Sequence, residues 1–242
     1  MPVCVSQIYI SGSPTLELPD HVWQATQSFL AQIPEPAYHL FGAEEVRAFI
    51  ESTFGREVVR AFDQLVPYAY KADLARYCLL HELGGWYIDL GLQGNNVVLN
   101  TGDLGALFFR NMPIFNTLAW PVANGLMYSQ PKNKVFEICV EMIVAHCQER
   151  YYGTTPLCPT GPSLLGRAIA RIGAVETTLF GDCAYVADDN QGRRTAFTLP
   201  NGTTVAHRRR GSPGDVAAMG LAHTNNYAHL YETHQIYEDD GA

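Results

Sequence analysis

The chain has 242 residues, 47% of them hydrophobic, with 16 lysines and arginines against 24 aspartates and glutamates and a formal net charge of −8. A chain of this length and apolar content can bury a full core, and it fits a single α/β domain over residues 1–242. The acidic balance excludes a general nucleic-acid binder, because most of the surface would repel a phosphate backbone.

Val3, Val5, Ile8 and Ile10 open the chain as a buried strand, and the turn residues Ser11-Gly12-Ser13-Pro14 end it. From Asp20, apolar positions Val22, Phe29, Leu30 and Ile33 recur at near-helical spacing until Pro34 and Pro36 stop them. Val46, Phe49, Ile50 and Phe54 predict a second helix, and Val58, Val59 and Phe62 form another apolar stripe after Gly55. Residues 71–82 predict a third helix, closed by Gly84-Gly85, since glycine accepts the left-handed conformation that ends helices. Residues 86–90, with their bulky side chains, read as a strand with Asp89 near its end. Further strands are predicted at 104–109, 122–127, 184–187 and 203–206. Helices are predicted at 131–148, with Pro131 in the first turn, and at Pro162–Ile172, closed by Gly173. The acidic tail from Glu238 reads as frayed. Alternating strands and helices predict an α/β fold with a mainly parallel central sheet flanked by helices, and such sheets collect ligands beyond the carboxyl ends of their strands, where Asp89 falls.

The six cysteines show no CxxC pair and no histidines at zinc-finger spacing, so reduced thiols are expected. Residues 1–10 carry no basic stretch and too short an apolar run for a signal peptide, and no segment reaches the ~20 apolar residues of a membrane span; a soluble cytoplasmic protein is the expectation. The basic run His207-Arg208-Arg209-Arg210, between Gly202 and the turn Gly211-Ser212-Pro213-Gly214, reads as a solvated loop edge.

The chemistry concentrates at residues 70–91. In a helix Asp73, Arg76 and Tyr77 share one face, bringing a carboxylate, a guanidinium and a phenol together, and two glycines then turn the chain so that the next strand delivers Asp89 to the same end of the sheet. Taken alone, Asp73 and Arg76 would make an ordinary surface pair. The run from Tyr70 to Asp89, however, resembles the sugar-binding region containing a DXD motif, of the glycosyltransferase family 32 and capsular-polysaccharide type, whose pattern KADxxRYxxLxxxGGxYxD has every fixed position here. Gln7-Ile8-Tyr9-Ile10 with Trp23, Asn124-Gly125-Leu126-Met127 with Ser129 and Pro131, Thr160-Gly161-Pro162, and His223-Thr224-Asn225-Asn226-Tyr227 resemble other stretches of that family in the same order.

The resemblance implies a GT-A-type nucleotide-sugar-binding fold and a retaining hexosyltransferase that uses a UDP- or GDP-linked donor, a saccharide, lipid or protein acceptor, and Mn²⁺ or Mg²⁺. Carried over, Asp73, Arg76 and Asp89 are the catalytic candidates. Tyr9, Tyr70, Asn124, Gly161, Asn225 and Tyr227 join them around the donor, and Asp89, His223 and Asn225 are the candidate metal ligands. The sequence departs from the pattern at Asp89-Leu90-Gly91, where the second aspartate of DXD is missing. Three arrangements stay open: a metal held by Asp89 with His223 or Asn225, metal-independent transfer using positive or hydrogen-bonding groups, or a nucleotide-sugar-binding protein that has lost turnover. A metal-dependent phosphohydrolase using Asp89, Asp182, Asp188 and Asp189 is a weaker reading, because no clustered spacing supports it. Residues 91–120 and 187–215 are candidate acceptor loops by position.

Overall fold

The computed structural model describes residues 2–12, 16–111, 120–173, 177–188, 192–208, 220–221 and 224–238. Strand β1 (Val3–Ile8), helix α1 (Asp20–Leu30) and strand β2 (Pro36–Phe41) lead into three helices, α2 (Ala43–Phe54), α3 (Arg56–Gln64) and α4 (Tyr68–Leu83). Strands β3 (Gly85–Ile88), β4 (Leu92–Gly94), β5 (Ala106–Asn111) and β6 (Val122–Ser129) follow, then helices α5 (Lys134–Gln148) and α6 (Pro162–Ile172). Strands β7 (Thr178–Asp188), β8 (Gly192–Thr198) and β9 (Thr204–Arg208) precede the short helix α7 (Tyr227–Glu232).

The strands form one mixed sheet in the order β2-β1-β3-β6-β5-β7-β8-β9-β4. Parallel pairing holds in β2-β1-β3 and β5-β7, where intervening helices supply the crossover. The pairs β3-β6, β5-β6, β7-β8, β8-β9 and β4-β9 are antiparallel. The α/β class read from the sequence holds, with the parallel strands β2-β1-β3 at one end of the sheet order and antiparallel pairings extending it.

The sheet is not flat. Ile88 ends β3 and Leu92 begins β4, so four Cα–Cα steps of 3.8 Å span at most about 15 Å, yet β4 stands six strands from β3 in the sheet order. Six flat spacings would be about 29 Å. The sheet therefore curls until its β9-β4 edge returns to the end of β3.

Curling gives the strands two cores, and the two-residue alternation of side chains sorts them. Tyr87, Ala106, Phe108 and Met127 face the larger core under α2–α6. Trp86, Ile88, Leu107, Phe109, Leu126 and Tyr128 face a second core inside the curl, closed by Phe29 of α1 and by Val205 and Ala206 of β9.

Several elements differ from the sequence reading. Helix α5 begins at Lys134 rather than at Pro131, because Lys132 adopts φ +61° and the Asn133 side chain caps the Val135 N–H at 3.0 Å. Strand β2 starts at Pro36, an edge position where a missing N–H costs nothing. Strand β7 is longer than 184–187, and β4, β8 and α7 carried no strong local pattern. The tail is anchored through Glu238, whose N–H reaches the Gln64 carbonyl at 2.8 Å; its last four residues lie outside the described set. No helix among the described residues is long and apolar enough to cross a membrane.

Candidate functional site

Helix α4 presents buried residues on nearly every side, which is why its sequence lacks a clean apolar stripe. Lys71 sends its ammonium back to the Phe62 and Asp63 carbonyls at 2.6 and 3.1 Å, satisfying the open end of α3. At the other end Gly84 and Gly85 take φ +63° and +80°. A Cβ on Gly84 would lie 2.6 Å from Pro131, and one on Gly85 would collide with the Cys4 carbonyl, so space as well as conformation demands glycine. Strand β3 then pairs with β1 and β6 and delivers Asp89, whose N–H is fixed on the Gly125 carbonyl at 2.7 Å.

The four charged groups form an alternating chain. Asp73 Oδ1 lies 3.3 Å from Arg76 Nη2, Arg76 Nη1 lies 3.1 Å from Asp89 Oδ1, and Asp89 Oδ2 lies 2.7 Å from Arg208 Nη2. Asp73, Arg76 and Asp89 are also oriented by neutral partners. Thr160 Oγ1 and Asn124 Nδ2 donate to Asp73 at 2.7 and 2.8 Å. Arg76 donates to the Asn124 carbonyl at 2.8 Å and lies 4.5 Å above the Tyr87 ring, and the Tyr87 hydroxyl donates to Asp89 at 3.0 Å. Tyr77 bridges Asn124 and the Thr160 carbonyl, each at 3.1 Å. Burial pushes the Asp73 carboxyl above the usual carboxylate range, against the pull of Arg76 and Thr160. Burial would lower the Arg76 guanidinium, but Tyr87, Asp89 and Asp73 outweigh it and raise it.

These groups open on a cavity of about 560 Å³, large enough for a small ligand. Of the residues singled out in the sequence, Tyr70, Asp73, Arg76, Asp89, Asn124, Gly161 and Tyr227 line it. Tyr9 does not: it is buried with Val22, Leu90 and Leu221. Asn225 is occupied elsewhere, accepting the Tyr68 N–H at 2.9 Å and donating to the Val66 carbonyl at 3.0 Å, so it ties the C-terminal segment to the start of α4. His223 lies outside the described residues, as do parts of both candidate acceptor loops. Asp182 is held on the surface by Arg110 at 2.7 Å, and Asp189 lies outside the described residues.

One residue of the site went unrecognised in the sequence. Arg208 belongs to the basic run that reads as a solvated loop edge, but it is the last residue of β9, 30% exposed at its side chain, and lies on the cavity wall against Asp89. The basic run was its only local signal. Residues 209 and 210 lie outside the described set.

Residues 19–94, which hold α1 through β4 and with them Asp73, Arg76 and Asp89, match the model of the glycosyltransferase sugar-binding region containing DXD motif. Over this segment the chain is similar to a glycosyltransferase sugar-binding region. A related protein, the uncharacterized glycosyltransferase L373 of Acanthamoeba polyphaga mimivirus, is 33% identical over 95 residues, which span 39% of this chain and 37% of that protein. Among solved structures, the PaToxG glycosyltransferase superposes with a TM-score of 0.55 at 14% identity, over 71% of this chain and 69% of its own. That likeness is one of fold, and it agrees with a GT-A-like α/β arrangement for the sheet and helices.

Proteins with this sugar-binding region usually hold a divalent metal at DXD, but the described residues do not fit one. Both Asp89 oxygens are engaged by guanidinium groups, Gly91 offers no ligand, and Asn225 is committed to backbone. Among the described residues no three His, Cys, Asp or Glu side chains converge as a metal group would need.

Proposed function

We propose that residues 1–242 act as one GT-A-like glycosyltransferase unit that moves a sugar from a UDP- or GDP-linked donor to a hydroxyl of a saccharide, lipid or protein acceptor, with retention at the anomeric carbon. The observation that carries this reading is the convergence of Asp73, Arg76 and Asp89 with Asn124 and Gly161 on one cavity, within and beside the sugar-binding region. Asp73 and Asp89 suit sugar or ribose hydroxyls, because a carboxylate offers about four lone-pair sites and the protein donors at Asp73 take three contacts. Arg76, locked on three sides, fixes the two carboxylates relative to each other. Tyr70 and Tyr227, with ring centres 6.1 Å apart, supply apolar wall.

Among the described residues the other carboxylate of the cavity lining, Asp73, is tied to Asp89 through Arg76 rather than set opposite it across open space, so a protein nucleophile has no support. Front-face transfer fits this inventory. The bond from C1 to the phosphate oxygen breaks with its electron pair on the departing diphosphate, the acceptor oxygen bonds to C1 on the same face, and its proton passes to the diphosphate. A product with inverted configuration would rule this out.

The test is a screen of UDP-, GDP- and other nucleotide sugars for slow donor hydrolysis without acceptor, with Asp89→Asn in parallel. Hydrolysis of one donor, lost in the variant, supports transfer. The replacement of DXD by Asp89-Leu90-Gly91 favours a second reading, a nucleotide-sugar binder without turnover, and tight binding with no hydrolysis would select it.

A further inference from the structure

We propose that Arg208 occupies the functional place of the divalent ion, so that this site binds a nucleoside diphosphate through a guanidinium and without metal. The inference rests on the nucleotide-sugar reading above. A Mg²⁺ or Mn²⁺ ion sits about 2.1 Å from a carboxylate oxygen, and at Asp89 that approach is taken on one oxygen by Arg208 Nη2 at 2.7 Å and on the other by Arg76 Nη1 at 3.1 Å. A dication could enter only by displacing a cation already seated. The second carboxylate that would reward the exchange is absent, and its position, Gly91, has φ +76°, where an aspartate would be strained.

The Asp89–Arg208 contact is also built rather than incidental. It lies over Gly125, where a Cβ would collide with Asp89 Oδ2 and lie 3.1 Å from Arg208 Nη2. Only bare backbone on β6 leaves room for the pair. Asp73, Arg76, Asp89 and Arg208 are the charged residues of the cavity lining, two of each sign, so the wall is neutral before a ligand arrives. Asp73 and Asp89 together balance Arg76 and Arg208, but Arg76 is buried between the two acids whereas Arg208 is open to the cavity. Arg208 is thus the cation that an entering diphosphate meets, and its planar fork of donors suits two phosphate oxygens. The amino end of α6 opens on the same cavity at Gly161 and Pro162 and adds a partial positive charge.

The experiment is calorimetric titration of the full chain with UDP and with GDP, in EDTA and in Mn²⁺, for the native protein, Arg208→Gln and Arg208→Lys, with thermal melts as the check on folding. One nucleotide should bind with the same affinity in EDTA and in Mn²⁺. Arg208→Gln should weaken that binding about tenfold or more, equivalent to ~1.4 kcal/mol, and Arg208→Lys should recover part of it. Manganese alone, followed by its electron paramagnetic resonance signal, should remain unbound by the native protein, a measurement that stands even where a variant does not fold. Nucleotide binding that needs Mn²⁺, a tight site for Mn²⁺ alone, or unchanged binding in a folded Arg208→Gln would each overturn the role of Arg208 while leaving the donor reading in place. Failure of every nucleotide in both buffers would overturn both.

Discussion

Asp73 is 7% exposed, and its carboxylate is shared among Thr160, Asn124 and Arg76. Removing it leaves the Thr160 and Asn124 donors without their acceptor, and it leaves Arg76 balanced by Asp89 alone. Breaking a buried pair from one side costs about 3 kcal/mol or more, so Asp73→Ala should lower unfolding stability by that amount in a denaturant titration. Asp73→Asn keeps the shape and an acceptor oxygen and should cost clearly less. Both should abolish donor hydrolysis, since neither retains the charge that Arg76 is built to face. Equal stability loss in the two variants would show that the carboxylate's charge, not its shape, holds the cluster.

The motif on α4 and β3 divides its residues between chemistry and construction. Asp73, Arg76 and Asp89 reach the cavity, whereas Lys71 closes α3, Leu80 lies in the core, and Gly84 with Gly85 makes the turn. Much of what reads as a sugar-binding signature is therefore the requirement for a buried helix to meet a buried strand at one angle. Helix α5 contributes from a distance: His146 Nδ1 donates to the Pro159 carbonyl at 2.7 Å and its ring stacks on Tyr151 at 4.2 Å, holding the turn that delivers Thr160 and Gly161. Burial holds the His146 pKa below its ordinary 6.5. The unfolded chain takes up this proton first, so the stability His146 contributes is present above about pH 6.5 and is lost as pH falls toward its depressed folded value. Urea midpoints measured between pH 7 and 5 should fall more steeply for the native protein than for His146→Gln. Parallel slopes would remove His146 as the source.

Arg208 can reach Asp89 only because the sheet closes on itself, and that closure is stapled by Gln32 at the end of α1. Gln32 is 2% exposed; its Oε1 accepts the Asn95 and Val97 N–H groups at 2.8 and 3.0 Å, and its Nε2 donates to the Val205 carbonyl at 3.1 Å. Three hydrogen bonds thus pin β9 and the residues just after β4 beneath α1, with Gly94 so close that a Cβ would collide with the Ser28 carbonyl. At about 1 kcal/mol for each bond lost, Gln32→Ala should cost roughly 2–4 kcal/mol. It should also weaken nucleotide binding although Gln32 lies outside the cavity lining, because Arg208 would lose its fixed approach. Unchanged binding in a destabilised but folded Gln32→Ala would separate the closure from the site.

Much of the site was legible in residues 70–91, since a helix, a glycine turn and a strand place Asp73, Arg76 and Asp89 by spacing alone. Local pattern also located β1, α1, α2, β6 and α6 closely. Strands β4 and β8 escaped because a three-residue Leu-Gln-Gly segment, or a run such as Gly-Arg-Arg-Thr, becomes a strand only when a neighbour offers its hydrogen bonds. Arg208 escaped for the same reason: it is 119 residues from Asp89, and no periodicity along the chain records which distant strand will lie beside which. The amino-acid order set the helices, the turn and the carboxylates; the choice of a guanidinium over an open metal position was made by the curl of the sheet, through pairings that exist only once the chain is folded.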